Sequence, residues 1–312
     1  MKYGFLYNTH PSVKLIFAAL FAFASFLLFF IIGVIIAIPV FKIDIFQLPT
    51  ILTDVNNPEN LALLKYLQIN QSIGLFIIPS FFIAYFIYRD SFEYLCLNRS
   101  SKLITYILII ILIFVLIPLI NFIAEINSHF HLPDFLDPIE RWMKEAEDTA
   151  QDLTEAFLMG KGPGDLIINL IMVAVLPAIG EELLFRGIIQ RLFLEWIKNV
   201  HIAILISAIL FSALHLQFYG FLPRLMLGIL FGYLFVWSGT IWVPIFAHFL
   251  NNGIAVVFYY LLQNQLVTDE LETLGTQQQS ILFVMFSAVL ISLVLIYFPK
   301  KNKIHYLQAN QE

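Results

Sequence analysis

DLIINLIMVAVLPAIGEELLFRGIIQRLFLE, residues 165–195, is an apolar stretch long enough to cross a bilayer, and it carries two adjacent carboxylates and an arginine in its interior. A helix needs about 20 apolar residues to span the hydrocarbon core. An ionisable side chain at its centre costs about 2.5–3.5 kcal/mol on insertion scales. Glu181, Glu182 and Arg186 are therefore expensive where they stand. Helix geometry assigns them different surroundings. Positions i and i+4 share a face, whereas neighbours diverge by about 100°. Glu182 and Arg186 can pair, which neutralises one carboxylate and anchors the helix. Glu181 then points elsewhere, with no cation of its own helix beside it.

Outward from this stretch the chain is of one character. Of its 312 residues, 60% are hydrophobic and only 12% charged, with a mean hydropathy of +0.86. A soluble domain carries about twice that charge. Residues 15–41, 103–124 and 281–298 hold no charge at all. The fold class read from this pattern is all-α, a polytopic transmembrane helical bundle of about eight spans. The spans fall near 13–40, 71–88, 103–124, 165–195, 201–219, 221–238, 241–263 and 280–298. The sixth and seventh come from one charge-free stretch, 225–268, which Trp237-Ser238-Gly239-Thr240 followed by Pro244 divides. The first run lacks a small-residue cleavage site and reads as a retained span.

Lys and Arg mark the cytoplasmic side of connections. With the N-terminus inside, most of the 17 basic residues fall inside, among them Lys14, Arg89, Arg99, Lys102, Arg186, Arg191, Lys198, Lys300, Lys301 and Lys303. Segment 125–164 is acidic and falls outside, as does the patch Asp269, Glu270 and Glu272. Both termini are then cytoplasmic, and the membrane is that of a bacterial cell, to judge from the Phe-, Ile-, Asn- and Lys-rich style. The organisation is a three-span region at 1–124, the acidic extracytoplasmic segment 125–164 with an amphipathic stretch at Pro138–Leu158, a helical core at 165–298 and a basic-to-polar tail at 299–312. No basic tract points to nucleic acid. Cys96, the only cysteine, excludes an internal disulfide and a four-cysteine zinc site.

Among the 22 acidic residues only Glu181 and Glu182 sit well inside an apolar span, and among the seven histidines only His215 and His248 do. His248 and Asn252 are i, i+4 and can face one cavity; Phe211 and His215 repeat the spacing, so the ring can pack beneath the imidazole. Taken singly, each has a bland reading. A membrane Glu–Arg pair serves helix packing, a buried His is a hydrogen-bonded structural residue, and Asn252 is interhelical glue. One spare carboxylate, two histidines and an amide on three spans together point to chemistry.

Glu181-Glu182-Leu183-Leu184-Phe185-Arg186 (EExxxR), Phe211-Ser212-Ala213-Leu214-His215 (FxxxH) and His248-Phe249-Leu250-Asn251-Asn252 (HxxxN) occur in this order on successive late spans. The ordered set, over residues 165–260, resembles the CPBP (or ABI) family, which comprises type II CAAX prenyl endopeptidases and bacteriocin-processing or immunity-type membrane proteins. The resemblance implies an intramembrane endopeptidase whose catalytic core is 165–298 and whose cavity opens to the cytosol. It implies Glu181 as the base that activates water, His215 as its partner, and His248 with Asn252 as the oxyanion site. Glu182, Arg186 and Phe211 are then supporting.

Amide hydrolysis needs an activated water and a stabilised oxyanion, and these residue types supply both. Zinc is the alternative activator, with Glu181, His215 and His248 as its ligands; the residues do not form the HExxH pair of soluble zinc proteases. The expected partners are membrane lipid and a membrane-associated peptide or protein substrate cut near the cytosolic side. The competing readings are a non-catalytic immunity or scaffold protein, which tolerates loss of Glu181, and a transporter using the same groups as a proton relay. Reporter fusions at Lys198 and Glu147 are expected to report opposite sides of the membrane; the same side for both would overturn the span count.

Overall fold

A computed structural model describes residues 3–54, 57–268, 276 and 281–298. The acidic patch Asp269, Glu270 and Glu272 and the tail 299–312 lie outside the described residues. Helices account for the fold; among the described residues the sole extended pairing is an isolated bridge between Tyr3 and Tyr88. The main helices are α1 (Pro11–Phe41), α2 (Pro58–Ile87), α3 (Leu103–Ser128), α4 (Asp137–Leu158), α5 (Pro163–Ile197), α6 (Val200–Ala213), α7 (Phe221–Ser238), α8 (Trp242–Gln263) and α9 (Ile281–Tyr297).

Local sequence explains where they begin and end. α1 starts at Pro11, with the His10 side chain accepting from the Ser12 amide, and α2 starts at Pro58 with Asn57 accepting from the Glu59 amide. α6 is capped by Asn199, which takes the amides of His201 and Ile202. α7 stops at Gly239, whose φ of 69° suits the left-handed C-terminal position. The break expected at 237–240 is therefore real.

Six of these helices, α1, α2, α3, α5, α8 and the Phe218–Ser238 stretch that contains α7, are long and apolar enough to cross a membrane, and α6 and α9 are shorter apolar helices. Large apolar side chains such as Ile35, Phe114, Leu103 and Met285 stay exposed on them, as lipid-facing surfaces require. The chain is an integral membrane protein. Two span boundaries are corrected. The second runs from Pro58 rather than from 71, so Lys65, expected in an outer connection, is buried in α2, where its ammonium donates to Asn169 at 2.8 Å. The fifth, expected at 201–219, is a 14-residue helix that ends at Ala213.

α2 and α5 are not regular. Each contains a π-turn just ahead of a proline: Ile73–Ile77 before Pro79, and Leu170–Val175 before Pro177. A wide turn and a missing N–H free carbonyls that a membrane cannot hydrate. Side chains from other helices take them. Ile78 gives its amide to Ile73, Pro79 has none to give, and the Gly74 carbonyl accepts from Ser25 of α1 at 2.6 Å. These bonds set α1 against α2, while the Lys14–Glu195 ion pair at 2.8 Å sets α1 against the end of α5.

Two cores hold the bundle. Leu183, Ile188 and Leu192 of α5 pack with Ile83 and Ala84 of α2 and Phe235 of α7. Ile109 and Leu112 of α3 pack with Leu227 and Phe231 of α7, Val243 of α8 and Ile291 of α9. α6 and α7 approach closely because Gly228 and Gly232 face Ala208 and Ile204; a Cβ on Gly232 would lie 2.8 Å from Ile204. α4 is amphipathic and buries only Ala156, Phe157 and Leu158 at its end. At its start Glu140 accepts from His131 Nδ1 and the Leu132 amide, which holds its carboxyl below the usual range.

Gly180 packs against α2: a Cβ there would sit 2.7 Å from Phe76 Cβ and 3.2 Å from Ile77. Gly180→Ala is expected to lower the melting temperature of the detergent-purified protein, an overpacking cost of about 1–3 kcal/mol. Gly164→Ala, which points into open space, is expected to leave it unchanged or slightly raised. Equal melting points for the two variants would count against this packing.

Candidate active site

α5 places its two carboxylates on a short regular segment, Leu176–Leu184, between the π-turns Leu170–Val175 and Phe185–Ile189. Glu182 is fully buried and Arg186 is 1% exposed, and they pair as the spacing predicts, Nη1 to Oε1 at 2.8 Å. The guanidinium also donates from Nη2 to the Gly228 carbonyl of α7 at 2.9 Å, and it lies over the Phe211 ring at 4.8 Å. One arginine thereby joins α5, α6 and α7.

The same Glu182 oxygen receives His248 Nδ1 of α8 at 2.9 Å. A carboxylate paired with arginine can only accept, so Nδ1 carries the hydrogen and Nε2 is left for the other side of the ring. Nε2 faces Glu181 Oε2 at 3.9 Å. That oxygen is buried and has no hydrogen-bond partner among protein atoms, while the Glu181 side chain as a whole keeps 12% exposure. Glu181 thus differs from its neighbour as the helix geometry requires: Glu182 takes both Arg186 and His248 on one oxygen, whereas Glu181 makes no hydrogen bond to either and faces the imidazole at 3.9 Å. Phe231 stacks on the His248 ring at 5.2 Å, which fixes its plane.

His215 does not lie within a span. It stands in the turn after α6, partly exposed. Its Nδ1 donates to the Phe211 carbonyl at 2.7 Å, so its Nε2 is the free nitrogen. The Phe211 ring touches it edge-on at 5.0 Å and touches His248 at 6.0 Å, so this phenylalanine separates the two imidazoles. Glu181 and His248 both act electrostatically on His215.

Asn252, expected to face one cavity with His248, has its side chain bonded elsewhere. Its amide donates to the Val173 carbonyl of α5 at 3.0 Å, and its oxygen accepts from Asn251. The cause is Pro177, which has no N–H to offer the carbonyl four residues back. Pro177 and Asn252 together were the signal for this contact, and spacing within α8 alone could not reveal it. The direct bond from His248 to Glu182, 66 residues apart, was equally hidden.

The zinc alternative required Glu181, His215 and His248 to converge. Among the described residues no three or more His, Cys, Asp or Glu side chains are grouped so as to hold a metal ion. The ligand set does not fit this arrangement, and no step is drawn through it.

Removing Arg186 leaves two buried acceptors, Glu182 and the Gly228 carbonyl, without their donor. Arg186→Ala is expected to cost about 3–5 kcal/mol of stability, read as lost folded yield and a lowered melting temperature. Arg186→Lys is expected to recover only part, because one ammonium cannot span both acceptors. A normal melting point for Arg186→Ala would show that the pair does not anchor the bundle.

A model of the family described as "Type II CAAX prenyl endopeptidase Rce1-like" matches residues 163–254. These residues contain every side chain of the cluster above. Among curated proteins, "Putative membrane peptidase YdiL" of Bacillus subtilis is 33% identical over 119 residues, 38% of this chain and 47% of that protein. "Membrane-embedded CAAX protease MroQ" of Staphylococcus aureus is 29% identical over 125 residues, 38% of this chain and 48% of that protein. "Uncharacterized protein YpbD" of Bacillus subtilis is 29% identical over 92 residues, 28% of this chain and 44% of that protein. The chain thus spans about half the length of the curated relatives it matches. No solved structure matches it significantly. Over residues 163–254 the chain is similar to the Rce1-like CAAX protease family.

Proposed function

We propose that the chain is an intramembrane endopeptidase that hydrolyses a peptide bond of a membrane-associated peptide or protein, with Glu181 as the base. The observation that carries this reading is the buried, unpartnered Glu181 Oε2 facing His248 Nε2 at 3.9 Å. That separation is too long for a direct hydrogen bond and suits a single water touching both atoms at about 2.8 Å. The names of the relatives, one a membrane peptidase and one a CAAX protease, support the same class.

The side chains assign themselves steps. Glu181 takes a proton from the bridging water as its oxygen bonds to the carbonyl carbon. His215, donating through Nδ1 to Phe211, offers Nε2 as an acceptor to water leading to Glu181 and so helps to orient the attacking molecule. His248 in its protonated form donates from Nδ1 to Glu182 and from Nε2 to the new oxyanion, and Glu182 stabilises that imidazolium. Collapse of the intermediate breaks the C–N bond, and Glu181 returns the proton to the leaving amine. Asn252 acts by holding α8 on α5 at Val173 rather than at the oxyanion.

The His215 turn lies at the end of the bundle that α4 covers, so substrate enters from that end. Charge asymmetry places α4 outside, whereas the family resemblance implies a cavity open to the cytosol. The fusion at Glu147 that reports the side of α4 therefore also reports the side of cleavage. We place the protein in the cytoplasmic membrane of a bacterium.

Glu181→Gln is expected to fold like wild type, because Oε2 makes no bond to lose, and to lower turnover by at least about 10²–10⁴. The measurement is a paired incubation of both purified proteins with a membrane-peptide library, read by mass spectrometry. Cleavage products of equal abundance from both proteins would sink the assignment of Glu181 and favour a partner-binding membrane protein.

A further inference from the structure

The turn that follows α6 is held far more tightly than a surface turn needs. Leu216 adopts φ 53°, a left-handed conformation that a side chain of its size enters only under constraint. Backbone of this kind persists where the surroundings over-determine it. Arg224 of α7 donates from both terminal nitrogens to Gln217, to its carbonyl at 3.0 Å and to its side-chain oxygen at 2.6 Å. Asn127 at the end of α3, itself buried, donates to the Phe218 carbonyl at 2.9 Å and accepts from the Leu222 amide at 2.7 Å. Glu147 of α4 accepts from the Tyr219 amide at 3.0 Å, and Trp142 of α4 contacts the Phe218 ring. Three helices therefore converge on nine residues whose first functional member is His215.

We propose that Glu147 is a positioning residue: through the Tyr219 amide it holds the turn that sets His215 beside the Glu181–His248 pair. The inference rests on the role given to His215 under Proposed function, and it adds a residue from outside the matched segment 163–254. Asn127 and Arg224 each make two bonds and sit on bundle helices, so their loss perturbs packing as well as the turn. Glu147 is partly buried, makes one bond, and projects from an amphipathic helix that otherwise touches the bundle mainly at its ends. Its carboxylate oxygen accepts a backbone hydrogen, and its charge also faces Arg224 of α7; glutamine keeps the first and removes the second.

The test uses the full chain in detergent or nanodiscs. Glu147→Ala is expected to speed amide exchange in a peptide covering 214–222, and to lower kcat about tenfold with KM and melting temperature unchanged. Glu147→Gln keeps an acceptor oxygen at the same reach and is expected to restore both readouts. Glu147→Asp keeps the charge but falls short of the amide, and is expected to behave like alanine; it serves if the alanine variant does not purify folded. Unchanged exchange in Glu147→Ala would overturn the clamp, as would a glutamine variant no better than alanine. A fall in melting temperature with kcat intact would reduce Glu147 to a tether for α4. If wild type cuts no peptide, the peptidase reading fails, and the exchange measurement still decides whether Glu147 holds the turn.

Discussion

The structure depends on one buried ion pair and what it frees. In a bilayer an arginine and a glutamate must find their partners within the protein, since lipid offers none. Arg186 reaches Glu182, the Gly228 carbonyl and the Phe211 ring. Glu182 accepts from Arg186 and His248 through one oxygen, and its second oxygen has no hydrogen-bond partner among protein atoms. The position of α7 is set by the carbonyl, that of α8 by the imidazole, and that of α6 by the aromatic ring. Glu181 is one residue away and makes none of these hydrogen bonds, so its Oε2 faces His248 Nε2 at 3.9 Å without a partner among protein atoms.

Helix defects do the complementary work. A regular helix hides its carbonyls, and apolar helices then have little but van der Waals contact to fix their registry. Pro177 and the π-turn ahead of it expose the Val173 carbonyl, and Asn252 of α8 finds it. The π-turn ahead of Pro79 exposes the Gly74 carbonyl, and Ser25 of α1 finds it. Each defect becomes a polar fastening at one defined height in the membrane. The second fastening lies on α2, whose Phe76 and Ile77 in turn press on Gly180, next to Glu181. The geometry of the acid pair is thus braced on both sides by backbone irregularities.

Part of this was legible in the residue order. Helix spacing is local, so the Glu182–Arg186 pair, the exclusion of Glu181 from it and the packing of Phe211 under His215 follow from counting. The apolar runs located most helices, because bilayer thickness imposes their length. Contacts between helices are another matter. Spacing on α8 put His248 and Asn252 on one face, and the structure sends one to a carboxylate and the other to a carbonyl. Partners freed by a proline on a different helix cannot be read from either helix alone. The end of α6 was placed too late, at 219 rather than Ala213, for a related reason: hydropathy does not register a turn held by polar groups from elsewhere.

That turn bears on how the segment matched by the family model depends on the rest of the chain. Every member of the Glu181–Glu182–Arg186–His248 cluster lies within residues 163–254, and its internal bonds are made by those residues alone. His215 differs. It sits on irregular backbone, bonded to its own helix end by its side chain to the Phe211 carbonyl and by its amide to the Ser212 carbonyl. A lone turn of this length, with a leucine in the left-handed region, is not self-sufficient. Its fastenings include Asn127 and Glu147, which belong to the part of the chain that the family match does not reach. The hydrogen bonds of the acid–imidazole pair are made within residues 163–254, while the turn that carries the second imidazole is also fastened by α3 and α4. Changes in those two helices can shift His215 without touching a residue of the cluster.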